Sequence, residues 1–311
     1  ELAYRNKLNR QQQEELQAVL QRLDPLVEDI LQLQVANTLE EMGILRLGGA
    51  IPPVMYHTSA TPKSLITSPR DRIEQDVNLS LMAELTLEET DQLETEVEES
   101  TGESALVVGT GGIGVYPTMI MRSSDLAWVV NTIAHEWTHN YLTLRLRGLN
   151  YDTTPELRIM NETTASIAGN EIGARVLADY YPELANEAVE PVKLAAPAWD
   201  DGFNFQAEMH ATRVKVDELL AEGKVEEAET YMEERRQVFV DHGYIIRKLN
   251  QAYFAFYGAY ADSPVSAAGE DPVGEAVRAL RANSPTLADF LREMGKMNSY
   301  ADLQQANSGV D

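Results

Sequence analysis

Five consecutive residues, His135-Glu136-Trp137-Thr138-His139, carry the strongest chemical signal in this sequence. On an α-helix, side chains four residues apart lie one above the other, so both imidazoles can reach a single metal ion. Glu136 is rotated by about 100° from His135, close enough to hold a water beside that ion without being a ligand. The chain has no cysteine, so a transition-metal site must be built from imidazole and carboxylate. The implied chemistry is hydrolysis by an activated water, with His135 and His139 as ligands, Glu136 as general base and one Zn2+ per chain as cofactor.

A catalytic zinc takes three protein ligands and keeps one position open for water. The third ligand is expected downstream, where Thr153-Thr154-Pro155-Glu156 reads as a capped helix start with proline in the first turn. Steps of three and four from Glu162 reach Ser166, Gly169 and Gly173, a face with one carboxylate and almost no other side chain. Glycine inside a helix costs about 1 kcal/mol relative to alanine, so two on one face point to close packing against the His135 helix. Glu171 is the alternative ligand, but nine residues on it points about 180° away, and Glu162 is preferred.

The elements that must position these groups are legible in outline. Residues 124–147 read as a helix, with Ser123 or Ser124 as cap, Asp125 at its positive end, and Leu126, Val129, Val130, Ile133 and Trp137 as its apolar stripe. Arg145, Arg147 and Gly148 suit its other end. Upstream, short strands are expected within residues 52–57, 63–67, 104–108 and 115–121, with an acidic solvated helix over 84–99. The glycine-rich turn 109–114 lacks the spacing of a nucleotide loop and fits a bulge or an exposed backbone edge better than a phosphate cradle. Downstream, helices are expected over 155–181, 206–221, 225–244 and 245–260, with two shorter ones after them. Strands first and helices later give an α+β fold.

The His135–His139 motif followed by Asn161-Glu162 in a second helix resembles the gluzincin metallopeptidase pattern. The run Asn161 to Gly173 looks like the Asn-Glu-Ser-x-Ala-x-x-x-Gly-x-Glu-Gly segment of a group of bacterial predicted aminopeptidases. Leu249-Asn250-Gln251-Ala252-Tyr253 is similar to that group's later Asn-Asn-Ala segment. The resemblance is clear over residues 109–173, weaker over 206–260 and absent before residue 50. Two features depart from it: 22 residues (140–161) separate His139 from Glu162, more than in the well-known gluzincins, and Ser166 stands where thermolysin-like enzymes carry Asp. The resemblance implies a zincin-like fold, with a small N-terminal mixed sheet and a mostly helical C-terminal part, and peptide-bond hydrolysis, exo or endo. It also implies a substrate-pairing edge strand near Tyr116-Pro117-Thr118-Met119.

A tetrahedral intermediate needs a hydrogen-bond donor. The candidates are Tyr253, Tyr257, Tyr244, His210 and His242, and the family-like segment favours Tyr253. Asn131, Ser166 and Asn170 are candidates for partners of the ligand histidines; His57 is expected to be structural.

Residues 6–42 read as helix, with Leu16, Val19, Leu23, Leu26, Ile30 and Leu33 in alternating steps of three and four, a heptad seam interrupted near Pro25. Residues 1–48 are thus an N-terminal helical segment, packed on the body or projecting as a stalk or a dimerising coiled coil. Residues 49–311 are the catalytic domain, with the sheet and motif helix in 49–148 and a helical lobe in 149–311. Fifty acidic against 25 basic residues set the net charge at −25, which argues against nucleic acid or an anionic membrane surface as partner. A peptide or protein substrate is what the resemblance implies. A start at Glu1 ahead of a stalk-like helix is compatible with an extracytoplasmic domain held by an upstream membrane anchor. A non-catalytic scaffold on the same framework and a zinc hydrolase of non-peptide amides are the rival readings.

Overall fold

In the computed structural model, residues 9–44, 50–145, 153–184 and 202–309 are described. In chain order the elements are α1 (Arg10–Glu41), β1 (Tyr56–Thr58), β2 (Lys63–Ser68), β3 (Val77–Leu81), α2 (Leu87–Thr101), β4 (Ser104–Gly109), β5 (Gly112–Ile113) and β6 (Thr118–Ile120). Then come α3 (Leu126–Thr143), α4 (Pro155–Tyr180), α5 (Phe205–Ala221), α6 (Val225–Asp241), α7 (Gln251–Tyr257), α8 (Pro272–Asn283), α9 (Leu287–Met294) and α10 (Tyr300–Ser308). Small sheets precede a long helical part, so the chain is α+β, as its element pattern predicts.

Two three-stranded sheets adjoin through the continuous chain. One is mixed, in the order β1-β6-β5, with β1 and β6 parallel and β5 and β6 antiparallel. The other, β3-β2-β4, is antiparallel, with Leu65 opposite Leu79 on one side and Val107 on the other. Because side chains alternate along a strand, Leu65, Ala105 and Val107 face α2, while Ile66, Leu106 and Val108 face Ala252 and Phe256 of α7. This explains the unbroken apolar run in β4: both of its faces are covered.

The main core joins Leu31, Val35 and Leu39 of α1 to Val130, Ile133 and Trp137 of α3, Ile172 and Val176 of α4, and apolar residues of α8–α10. A second cluster, rich in aromatics, closes the α5–α6 hairpin against Tyr244, Leu249 and Phe254.

Several expected boundaries change, each for a local reason. Asp125 itself caps α3 by accepting from the Trp128 N–H at 3.0 Å, so Ser123 and Ser124 lie outside the helix. The helix stops at Thr143, and Arg147 and Gly148 lie outside the described residues. The expected 245–260 helix shortens to α7 because Asn250 caps it, accepting from the Tyr253 N–H at 3.0 Å. The segment before the cap is held open instead, with Arg236 donating to the Ile246 carbonyl at 3.2 Å. Among the described residues, three short helices follow rather than two. The acidic α2 is more than a solvated surface, since Glu94 is buried, pairs with Arg247 and accepts from the Val107 N–H at 2.6 Å.

Candidate metal centre

α3 and α4 are pressed together along the glycine face of α4. A Cβ built on Gly169 would lie 2.9 Å from the Asn131 carbonyl oxygen and 3.1 Å from the His135 Cβ. One on Gly173 would lie 1.7 Å from the Asn131 Oδ1. Any larger residue here would lever α4 away from the segment of α3 that carries His135. The close packing read from the spacing of these glycines is therefore present, and it brings Glu162 against both histidines.

Among the described residues, His135, His139 and Glu162 form the one group of such side chains that could hold a metal ion. The two Nε2 atoms lie 3.0 Å apart, and each is 3.4 Å from the Glu162 Oε2. A tetrahedral ion with bonds of about 2.0–2.1 Å separates its donor atoms by about 3.3 Å, so these three atoms already outline one face of such a tetrahedron. The His139 Nδ1–H donates to the Asn161 Oδ1 at 2.8 Å, so Nε2 is the ring nitrogen turned to the centre.

The charges at the centre favour a cation. Burial acts to lower the His139 pKa, but the charge and hydrogen bond of Glu162, with help from Glu136 and Asn161, raise it to about 9. Burial likewise opposes ionisation of Glu162, yet His139 and His135 hold its carboxyl well below the ordinary carboxylate range. A buried carboxylate facing two imidazoles therefore draws in positive charge, as a proton or as a metal ion.

Glu136 is 7% exposed, and burial pushes its carboxyl pKa up, against the partial opposition of both histidines. It lies directly beneath the glycine-rich strand. A Cβ on Gly112 would meet the Glu136 Oε1 at 2.5 Å, and one on Gly114 would meet the His139 Cβ at 3.2 Å. These glycines let backbone, not side chains, cover the centre. The strand order corrects the expected edge strand: Thr118–Ile120 is the central strand, paired on both sides, and the edges are Tyr56–Thr58 and, over the centre, Gly112–Ile113. Asn140 fastens the connecting hairpin to α3, donating to the Val115 carbonyl and the Thr118 hydroxyl, both at 3.3 Å.

Tyr260 is the tyrosine at the centre. Its ring stacks on His135 at 6.0 Å, and its phenol pKa is pushed well above the usual value by burial first and then by the charge of Glu162. Tyr253 instead packs on Tyr257 at 4.5 Å and Phe254 at 5.6 Å. Among the described residues it makes no ring contact with either ligand histidine. The other expected donors are held elsewhere: the His210 Nδ1–H donates to the Ser266 carbonyl at 3.2 Å, the His242 Nδ1–H to the Val238 carbonyl at 2.7 Å, and Tyr244 lies in the α5–α6 cluster. Tyr257 is half-exposed beside Tyr253.

Glu171, the alternative ligand, is bound through both carboxylate oxygens to Arg281 at 2.7 and 2.8 Å, away from the centre. Among the described residues Asn131 and Asn170 make no hydrogen bond to the histidine rings but form a chain, Asn131 donating to Asn170 at 3.4 Å and Asn170 donating to Asp262 at 2.9 Å. Asp262 lies within electrostatic reach of His135 and was not among the expected residues. Neither were Asn161 and Tyr260. Asn161 had a signal, since it directly precedes the ligand carboxylate; Tyr260 and Asp262 had none in their spacing. Ser166 shows no hydrogen bond to either histidine among the described residues, and His57 pairs with Glu28 at 3.0 Å.

No protein-family model matches this chain, and no curated protein and no solved structure matches it.

Proposed function

We propose that this chain is a zinc-dependent peptidase with a zincin-like catalytic framework of the gluzincin kind. The observation that carries the reading is the three-atom face made by His135, His139 and Glu162 with the buried Glu136 beside it. Zinc bound there would supply Lewis-acid polarisation of the scissile carbonyl and an acidified water.

The remaining roles belong to the chain's own residues. Glu136, whose pKa burial raises, takes the proton of the attacking water and returns it to the leaving amine. Tyr260, kept protonated by its raised pKa, donates to the oxygen that becomes negative in the transition state. The outer edge of β5 supports addition of an extended peptide as a further strand, held by main-chain hydrogen bonds. Asn161 fixes the tautomer and orientation of His139.

Elemental analysis of wild-type and H135A protein, together with peptide-library cleavage by wild-type and E136Q protein, tests the proposal. The expected result is about one zinc per wild-type chain and none in H135A. E136Q should keep its zinc and lose turnover by about 10²–10⁴-fold. A wild-type chain that takes up no zinc would overturn the metal assignment; an active E136Q would overturn the base.

A further inference from the structure

α1 has two apolar faces, about 130° apart around its axis. One is accounted for: Leu31, Val35 and Leu39 enter the main core, Asp24 pairs with Arg122, and Glu28 accepts from the Thr58 N–H at 2.7 Å. The other face is open to solvent. Val19, Leu23, Leu26, Val27, Ile30 and Leu33 are 41, 42, 58, 49, 51 and 61% exposed, a concentration of apolar surface along one helix that marks an interaction site. With Leu16, the residues at 19, 23, 26, 30 and 33 keep the alternating three- and four-residue steps of a coiled-coil seam through a helix that stays continuous across Pro25, so the shape that covers them is another helix.

We propose that this seam pairs, antiparallel and about a two-fold axis, with the same seam of a second copy of this chain. Two observations support a second copy, and the second of them selects this direction. First, the seam is self-complementary when reversed: Leu16 meets the partner's Leu33, Val19 the partner's Ile30, and Leu23 the partner's Leu26, so every layer closes.

Second, the residues flanking the seam fit only that direction. One flank carries Glu15, Arg22 and Asp29; the other carries Leu20, Val27 and Gln34. Antiparallel pairing sets each flank against itself, so Arg22 faces the partner's Asp29 twice over, and Leu20 faces the partner's Val27. Parallel pairing would set Arg22 against valine and Asp29 against glutamine. Within one chain, Arg22 and Asp29 are exposed and have no ion-pair partner among the described residues. The net charge of −25 per chain opposes association, and the apolar layers must outweigh that repulsion.

The test is light scattering and sedimentation equilibrium on the full chain at physiological salt. Wild type should run at twice the mass of one chain. I30K should be monomeric while keeping its circular dichroism and metal uptake, because Ile30 touches neither the core nor the metal centre. R22D and D29R should each weaken the dimer about five- to thirtyfold, and the R22D/D29R double swap should restore it to within about twofold, since each cross-pair then regains opposite charge. Because the chain has no cysteine, direction can be read from introduced ones. A mixture of L16C and L33C chains should form the mixed disulfide, and L16C alone should not cross-link. A chain monomeric at about 100 μM, an efficient L16C homodisulfide, or a double swap that fails to rescue would each overturn the proposal.

Discussion

At the scale of single residues, the centre works by opposing solvation with charge. Desolvation alone would neutralise Glu162 and His139, but 3.4 Å from each other they hold each other ionised. The sign of the pH dependence follows. Below the His139 pKa of about 9, the metal-free site carries a proton that the metal must displace. Apparent zinc affinity should therefore rise about tenfold per pH unit from neutrality towards 9 and flatten above it, as read by chelator competition. A flat profile across that range would mean that His139 is neutral in the metal-free chain. The two tyrosines separate kinetically. Y260F should lower kcat by about 10²–10³-fold with KM little changed, whereas Y253F, altering a ring packed on Tyr257 and Phe254, should leave kcat nearly intact. The reverse pattern would return the role to Tyr253.

At the scale of elements, the contact between α3 and α4 decides whether the ligands meet. Gly169→Ala tests this because two effects compete. Alanine is worth up to about 1 kcal/mol of helix propensity over glycine. Its Cβ, however, would press on the Asn131 carbonyl oxygen and on His135, and overpacking of this sort costs about 1–3 kcal/mol. The expected net effect is a destabilisation of about 1 kcal/mol in denaturant midpoint, with weaker zinc binding because His135 is displaced. A stabilised variant with unchanged affinity would show that the helices have room to spare. β5 belongs to the same scale. Its Gly112 leaves a backbone edge over Glu136, which a two-residue strand can supply and a bulkier sequence cannot.

At the scale of the whole molecule, the centre ties together parts far apart in sequence. His135 and His139 come from α3, Glu162 and Asn161 from α4, Tyr260 from beyond α7, and the covering strand from the mixed sheet. A ligand that binds only the folded chain stabilises it by mass action, by about 4 kcal/mol at a free concentration a thousand times its Kd. Chelation should therefore lower Tm and zinc should restore it, with H135A insensitive to both. A wild-type Tm unmoved by chelator and zinc would mean that no ion is held at this junction. The exposed seam of α1 lies outside these contacts, which is why the proposed partner is a second copy of the chain.

What the sequence determined by itself is whatever depends on local periodicity. Three- and four-residue steps put His135 above His139 and put Glu162 on one face with Gly169 and Gly173, because a helix turns by a fixed angle per residue whatever surrounds it. The same rule exposed the α1 seam and excluded Glu171 from the Glu162 face. What only the tertiary structure decided is whatever depends on where elements dock. Arg158 donates to the Ala255 and Phe256 carbonyls at 2.9 and 3.2 Å, and the Thr163 hydroxyl donates to the Ala259 carbonyl at 3.2 Å. These bonds clamp the end of α7 to α4, and that clamp, not any spacing, turns Tyr260 rather than Tyr253 towards His135. The order β1-β6-β5 is likewise a matter of which strands meet. A pairing partner is a long-range property, and no local pattern in residues 109–121 could tell the edge strand from the central one.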